Sequence, residues 1–490
     1  MREPILHLLA VLLLSICFHF LFWSEKMGFN TLIFTLLYLI ALAWAFPESR
    51  TARPFWATAG GTLLIAAMVV WHNSAAAKIA FWVSAMCAAG FAQASTLRFL
   101  LNAFIQYLQS LVFVPRHLLQ SMAGLNRSTE KSASKLRRNV SMALLPLLIV
   151  AVFYGLYYAA NAKFAVLSDR FWAEIGHFIS FDISIPKLLF WLLGLFISGG
   201  ALWARVSALP EAERSTPDVL QRLRAPRKTY EALLPTLGLR REYRQSILLL
   251  WMLNALLLFV NLTDARYVWF GVDEETQKDL KGYVHEGTYF LIASILLAMG
   301  VLFFAFRKNL NFYPKNQLLK TAAGIWLIQN AVLAFSVAVR NLYYIDFHGL
   351  AYKRIGVFWF LTLVFFGLYT LWIKIKDIRS NAWLWRYNAW AFYALLVLNT
   401  CINWDVSITR YNLSGRPKST VDLHQMIFDM SPKNLFLLEA EKEKLPRVNT
   451  YPNLSEEVIA RGMAQKREAF NWEQAQLSWK SWNVADARNK

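Results

Sequence analysis

Cysteine is almost missing from this chain: Cys17, Cys87 and Cys401 are the only three among 490 residues. They fall far apart inside apolar runs, with no CxxC and no Cys/His spacing, which excludes a disulfide framework and a thiolate metal site. Charge is scarce as well, at 17% where a soluble globular chain carries about 25%. Acidic residues are the scarcer sign, 31 against 51 Lys and Arg, which leaves a formal net charge of +20. The basic residues are spread over many short loops, not gathered on one domain, so nucleic acid is not an expected partner. Also missing are GxSxG, a Walker A loop, CxxCH and a GxGxxG in a βαβ setting. His7, His19, His72, His117, His177 and His424 are scattered, and no two stack on one helix as haem ligation would require. No cofactor is expected.

What fills the chain is apolar: 57% of it is hydrophobic and 15% aromatic, with 20 Trp and 19 Tyr suited to the interfacial belts of a bilayer. Runs of about 18 apolar residues cross a hydrocarbon core as helices. Such runs occur at 4–23, 29–46, 55–71, 75–94, 141–160, 188–206, 247–262, 288–306, 321–339, 355–373 and 387–402. The fold class expected is an all-α, polytopic transmembrane helix bundle of about eleven spans with a small extracytoplasmic C-terminal tail. The first run resembles a signal peptide, but SEKMG after it offers no small-residue cleavage site, so it is expected to remain as a span.

Lys and Arg are retained in cytoplasmic loops, and they mark one set of connections here. Arg50 and Arg53, the run from Arg127 to Arg138, the run from Arg214 to Arg244, Arg307 with Lys308, and the run from Lys374 to Arg386 all fall between alternate spans. The other connections are near neutral, or acidic as at Asp273, Glu274, Glu275 and Asp279. The N-terminus is therefore expected inside and the tail after Trp404 outside. Residues 99–114 carry Asn102, Gln106, Gln109 and Ser110 as one helical stripe, which predicts an amphipathic helix in the cytoplasmic interface. The expected organisation is 1–140 as a four-span bundle with that helix, 141–246 as two spans and a basic loop, 247–404 as a five-span core, and 405–490 as the tail.

Candidate chemistry gathers at the outward ends of the last spans. HEGTY at His285 to Tyr289 begins like a zinc-protease helix, yet its fifth position is Tyr289 and the second ligand is absent. A metal site from His285, Glu286, Asp346 and His348 would need two loops to converge without any short-range ligand spacing, so no metal is expected. Glu286 at a helix N-terminus is stabilised by the helix dipole alone. Asn261, Thr263 and Asp264 end the preceding span, Arg340 ends the following one, and Asp346, His348 and Arg354 fill RNLYYIDFHGLAYKR.

Two readings of this rim stand side by side. In one, the arginines pair with Glu286 or Asp346 and knit helix ends. In the other, Glu286, Arg340, Tyr344, Asp346 and Arg354 line a shallow pocket for an anionic or lipid-linked ligand, with His285 or His348 able to move a proton. Within the spans, Asn254, Gln329 and Asn330 are expected to bond across helices. No acid or base sits at a span centre, which places a transporter third.

The region 243–438 resembles a bacterial inner-membrane family catalogued as domain of unknown function forty-one fifty-three, with its relative forty-one seventy-three. The matching pieces are YVHEG at Tyr283 to Gly287, RNLYYIDFHGLAYKRI at Arg340 to Ile355, NWDVSITRYNL at Asn403 to Leu413 and VDLHQMIFDMSPKNLFLL at Val421 to Leu438. In the family the second piece runs Arg, Leu-Tyr, Tyr-Gly-Leu-Thr and Arg, which falls here on Arg340, Tyr343 with Tyr344, Gly349, Leu350 and Arg354. The chain departs from it with His348 for the tyrosine and Ala351 for the threonine, and His285 lies outside the pattern. The resemblance implies a multi-pass protein of the bacterial inner membrane and names no activity. Its expected partners are membrane lipids, an anionic or lipid-linked ligand, or another membrane protein, and the rival function is a non-catalytic scaffold or signalling partner.

Overall fold

The computed structural model describes residues 2–125, 150, 153–155, 157, 158, 160–178, 185–205, 207–222, 239–269, 280–306, 308–314, 316–418, 421–447 and 454–489. Within them the regular structure is helical. The helices are α1 (Arg2–Phe22), α2 (Phe29–Ala45), α3 (Arg53–Trp71), α4 (Ala75–Gln93), α5 (Leu100–Leu125), α6 (Ala162–Phe178), α7 (Ile185–Leu202) and α8 (Leu209–Ser215). They continue with α9 (Leu239–Asp264), α10 (Leu280–Ala305), α11 (Gln317–His348), α12 (Tyr352–Asp377), α13 (Asn381–Thr400), α14 (Trp404–Asn412), α15 (Leu435–Ala440), α16 (Glu456–Gln476) and α17 (Val484–Ala487). Their ends follow local chemistry. Ser74 and Ser380 cap α4 and α13 by accepting from the N–H groups of Ala77 and Trp383. Gly349 closes α11 at φ +79°, where a side chain would be strained.

Among the described residues, five helices are long and apolar enough to cross a membrane: α3, α4, most of α9, α11 and α12. Counting α13 with α14, bent by 62° at their junction, as one broken span gives six. Four shorter apolar helices of 10–17 residues lie in α1, α2, α7 and α10, over stretches read as spans in the sequence, so the count of about eleven is not reached. Most of the run 141–160 lies outside the described residues. Several helices turn large apolar side chains outward, among them Ile79, Ile328, Phe259 and Leu297. An outward apolar surface of this kind belongs in lipid.

Two helical cores share one strut. The first is built from α1 to α5 and α7, around Phe18, Phe34, Ile65, Phe81, Phe91 and Tyr107. The second is built from α9 to α12, around Leu250, Ile295, Leu302, Leu333 and Val364. Helix α13 belongs to both, with Tyr393 and Val397 in the first and Trp383 and Leu384 in the second. Small residues let it approach: Gly61 leaves the space that the Tyr393 hydroxyl occupies. That hydroxyl bonds Ser84 at 2.6 Å, and Ser84 bonds Thr62 at 2.7 Å. Interhelical hydroxyl bonds of this type substitute for the hydrophobic drive that lipid does not supply.

The polar stripe of α5 turns inward. Gln106 and Ser110 are 1% and 0% exposed, Ser110 donates to Gln93, and Gln93 donates to the carbonyl of Gly200. Leu100 lies beside Cys87, Ala103 against Gly90, and Ser110 by Gln93, so α5 runs alongside the end of α4 in the same direction and stays at that end of the molecule.

The 405–490 tail forms a compact cap with its own core of Leu423, Met426, Ile427, Leu435, Leu438, Ile459 and Phe470. It grips the α1–α2 connection, where Glu25 accepts from Ser478 and Ser481. It also grips the α3–α4 connection, where Lys433 donates to the carbonyl of Asn73, and the α11–α12 junction, where Asn412 bonds Leu350 and Lys418 pairs with Asp346 of the last turn of α11. Three connections that the sequence groups on one side of the membrane therefore do lie at one end of the molecule.

Candidate functional site

At the capped end, α9 and α11 run in the same direction. Asn254 donates to the carbonyl of Ala322 and accepts from Gln329, and Asn261 donates to the carbonyl of Gln329. Asn330, expected to bond across helices, donates to Trp326 of its own helix. The α9 and α11 ladder ends at Asp264, whose Oδ1 accepts from Arg340, and the two side chains are 7% and 8% exposed. A buried pair of this kind is held in place by each partner's need for the other.

Arg354, in the first turn of α12, forms no ion pair within 4 Å among the described residues, and Asp422 acts on it only at longer range. Its Nη1 donates to the backbone carbonyls of His348, at 2.8 Å, and Gly349, and its guanidinium lies over the ring of Tyr344, 4.3 Å from the centroid. It thus supplies donors to the last carbonyls of α11, which have no partner within the helix. His348 meets Tyr344 edge-on at 4.9 Å. Asp346 is turned to the surface and pairs with Lys418 at 2.6 Å, and burdens no arginine.

The sequence places Glu286 and His285 at the start of a helix. Helix α10 begins at Leu280, so both fall past its first turn, where the dipole contributes little. Their side chains lie outside the described residues. The rim residues expected to converge are thus divided between separate partners: Arg340 with Asp264, Arg354 with carbonyls and Tyr344, and Asp346 with Lys418. No group of three His, Cys, Asp or Glu side chains suited to a metal occurs among the described residues.

A second polar cluster forms around Asp405, which the sequence places at the outward rim with Asn399, Asn403 and Arg410, but whose partners it does not identify. Asp405, at the start of α14 and 7% exposed, accepts from the Tyr352 hydroxyl and from Ser431. Asn412 clamps Leu350 from both sides, accepting from its N–H at 2.6 Å and donating to its carbonyl at 3.0 Å. Asn434 donates to Thr409 and to the carbonyl of Met426, which also accepts from Lys466 at 2.8 Å. Burial pushes the Lys466 ammonium down to about 8, against the pull of Asp405 and Asp429, and pushes Lys433 the same way. The segments 340–355, 403–413 and 421–438 meet here, although 56 residues of chain separate the end of α11 at His348 from Asp405. The signal available beforehand was the density of Asn, Asp, Ser and Thr in three pieces that share a resemblance.

No curated protein and no solved structure matches the chain. A family described as Domain of unknown function (DUF4153) matches residues 8–438, reaching well into the N-terminal half, beyond the 243–438 stretch that carries the resemblance in sequence. The match takes in the three segments joined at Asp405 and Asn412 and both helical cores beneath them, and on that extent the chain belongs to the DUF4153 family.

Proposed function

We propose that this is a multi-pass protein of a bacterial inner membrane that acts as a non-catalytic scaffold or signalling partner, holding a fixed capped platform toward another membrane protein. The lysine- and arginine-rich loops support an orientation with its N-terminus in the cytoplasm and its cap in the periplasm. The observation that carries the reading is the internal commitment of the charged rim: Arg340 is bound to Asp264, Arg354 to carbonyl oxygens, and Asp346 to Lys418. An anion pocket would need those guanidiniums directed at open space.

Ligand binding at the rim, by Glu286, Arg340, Tyr344, Asp346 and Arg354 with His285 or His348, is the rival, and transport is the third reading. Native mass spectrometry of the detergent-purified protein with added polyprenyl phosphate separates them. The scaffold reading expects no adduct that depends on the rim, so wild type and an Arg340→Met, Asp264→Leu variant behave alike. An adduct present in the wild type and absent from that folded variant would return the rim to ligand binding.

A further inference from the structure

At the end opposite the cap, the first turn of α3, the α4–α5 connection and the first turns of α13 enclose an open cleft of about 400 Å³. Arg53, Arg98, Arg386, Tyr387, Trp390 and Asp218 line it. The three guanidiniums are not equivalent. Arg386 is taken up by Asp218, with Glu213 at 4.0 Å. Glu213 is itself engaged, accepting from the backbone N–H of Arg98 at 2.9 Å and from Asn102 at 3.2 Å. Both acids are thereby accounted for. Arg53 and Arg98 are exposed and form no side-chain ion pair among the described residues.

The cleft wall is rigid. Trp390 donates from its indole to the carbonyl of Arg98 at 3.0 Å and stacks on Phe91 at 5.8 Å. Segment 216–222 is pinned to the α12–α13 connection by Leu220 to Ile378 at 2.9 Å and Ser380 to Asp218 at 2.8 Å. Exposed Tyr387 lines the cleft, and exposed Trp56 lies three residues after Arg53 on α3, as aromatic rings do at headgroup depth.

We infer that this cleft binds the phosphodiester headgroup of an anionic phospholipid, with Arg53 and Arg98 forking the phosphate oxygens and Trp390 and Tyr387 lining the glycerol and acyl junction. Guanidinium forks match phosphate oxygens two at a time. Basic pockets between transmembrane helices on the cytoplasmic side suit anionic headgroups. The acyl chains would follow the apolar outer faces of α3 and α13. A bound lipid there would bridge the first core to the strut α13. The inference concerns the face opposite the platform and does not rest on the scaffold reading.

The test is native mass spectrometry of full-length protein titrated with phosphatidylglycerol, phosphatidylcholine of the same chains, or inorganic phosphate. The expected result is one retained phosphatidylglycerol, weakened about fivefold by Arg53→Gln or Arg98→Gln and roughly thirtyfold by both. Neither side chain makes a structural bond among the described residues, so thermal unfolding of each variant should match the wild type. Equal retention of phosphatidylcholine, or unchanged retention in the double variant, overturns the proposal. Displacement of the lipid by inorganic phosphate at equal concentration would assign the cleft to a soluble anion and overturn it too.

Discussion

Arg340 and Asp264 show what a buried charge demands of its surroundings. Removing one partner strands the other, whereas replacing both with apolar groups of similar volume is close to neutral. Arg340→Ala should therefore cost roughly 3 to 5 kcal/mol, and Arg340→Met combined with Asp264→Leu should recover most of it. Chemical unfolding of the purified protein as a double-mutant cycle measures the difference. Additive losses would show that the pair is not coupled. Lys466 gives the second case, since it is 8% exposed and its ammonium titrates near 8 in place of its ordinary 10.5. Its folded value is depressed, so between about pH 8 and 10.5 the unfolded chain holds more protons and stability rises with pH. The full rise is about 3 kcal/mol. Lys466→Met should remove that part of the rise, read as cap unfolding against pH. A profile unchanged by the substitution would mean that the buried lysine carries no such cost.

Glycines and hydroxyls decide how closely the helices pack. A side chain at Gly90 would meet the backbone of Ala103, which cannot rotate away. At Gly61 it would meet the Tyr393 hydroxyl at the end of a side chain that can shift. Gly90→Val should thus be more damaging than Gly61→Val, by about 1 to 3 kcal/mol. Tyr393→Phe should lose only about 0.5 to 1.5 kcal/mol, the usual worth of an interhelical bond in a bilayer. Thermal unfolding ranks the three, and a reversed order would show that α13 is not the seated strut. The same packing explains what the sequence could reveal. Apolar runs marked the long described helices, because a helix that crosses lipid needs a predominantly apolar run of about 20 residues. The polar stripe of α5 carried no label for direction, since Gln106 and Ser110 are as well satisfied by Gln93 as by water. Arg340 and Arg354 were visible as candidates, but their partners were not: Asp264 lies 76 positions from Arg340, and backbone carbonyls leave no trace in a sequence.

Taken whole, the molecule has two chemically different ends. One end carries the cap, fastened to the α1–α2, α3–α4 and α11–α12 connections through Ser478 with Glu25, Lys433 with Asn73, and Lys418 with Asp346. The other end carries Arg50 and gathers Arg53, Arg98 and Arg386 around the open cleft. Lysine and arginine resist translocation, so the second end should face the cytoplasm. The cap also ties together helices that are far apart in the chain, because bonds at Glu25 and Asn73 hold the first core while those at Asp346 and Leu350 hold the second. Its three contacts can meet only if all three connections reach the same compartment. A single cysteine settles that compartment, once Cys17, Cys87 and Cys401 are replaced by serine or alanine. Trp472→Cys, on the exposed face of α16, and Thr96→Cys, in the α4–α5 connection, should react with a membrane-impermeant maleimide from opposite sides of the membrane. Trp472→Cys should label in intact spheroplasts, and Thr96→Cys only after lysis. Labelling of both from outside would break the two-ended arrangement, and labelling in the reverse order would invert it, placing the cap and its platform in the cytoplasm.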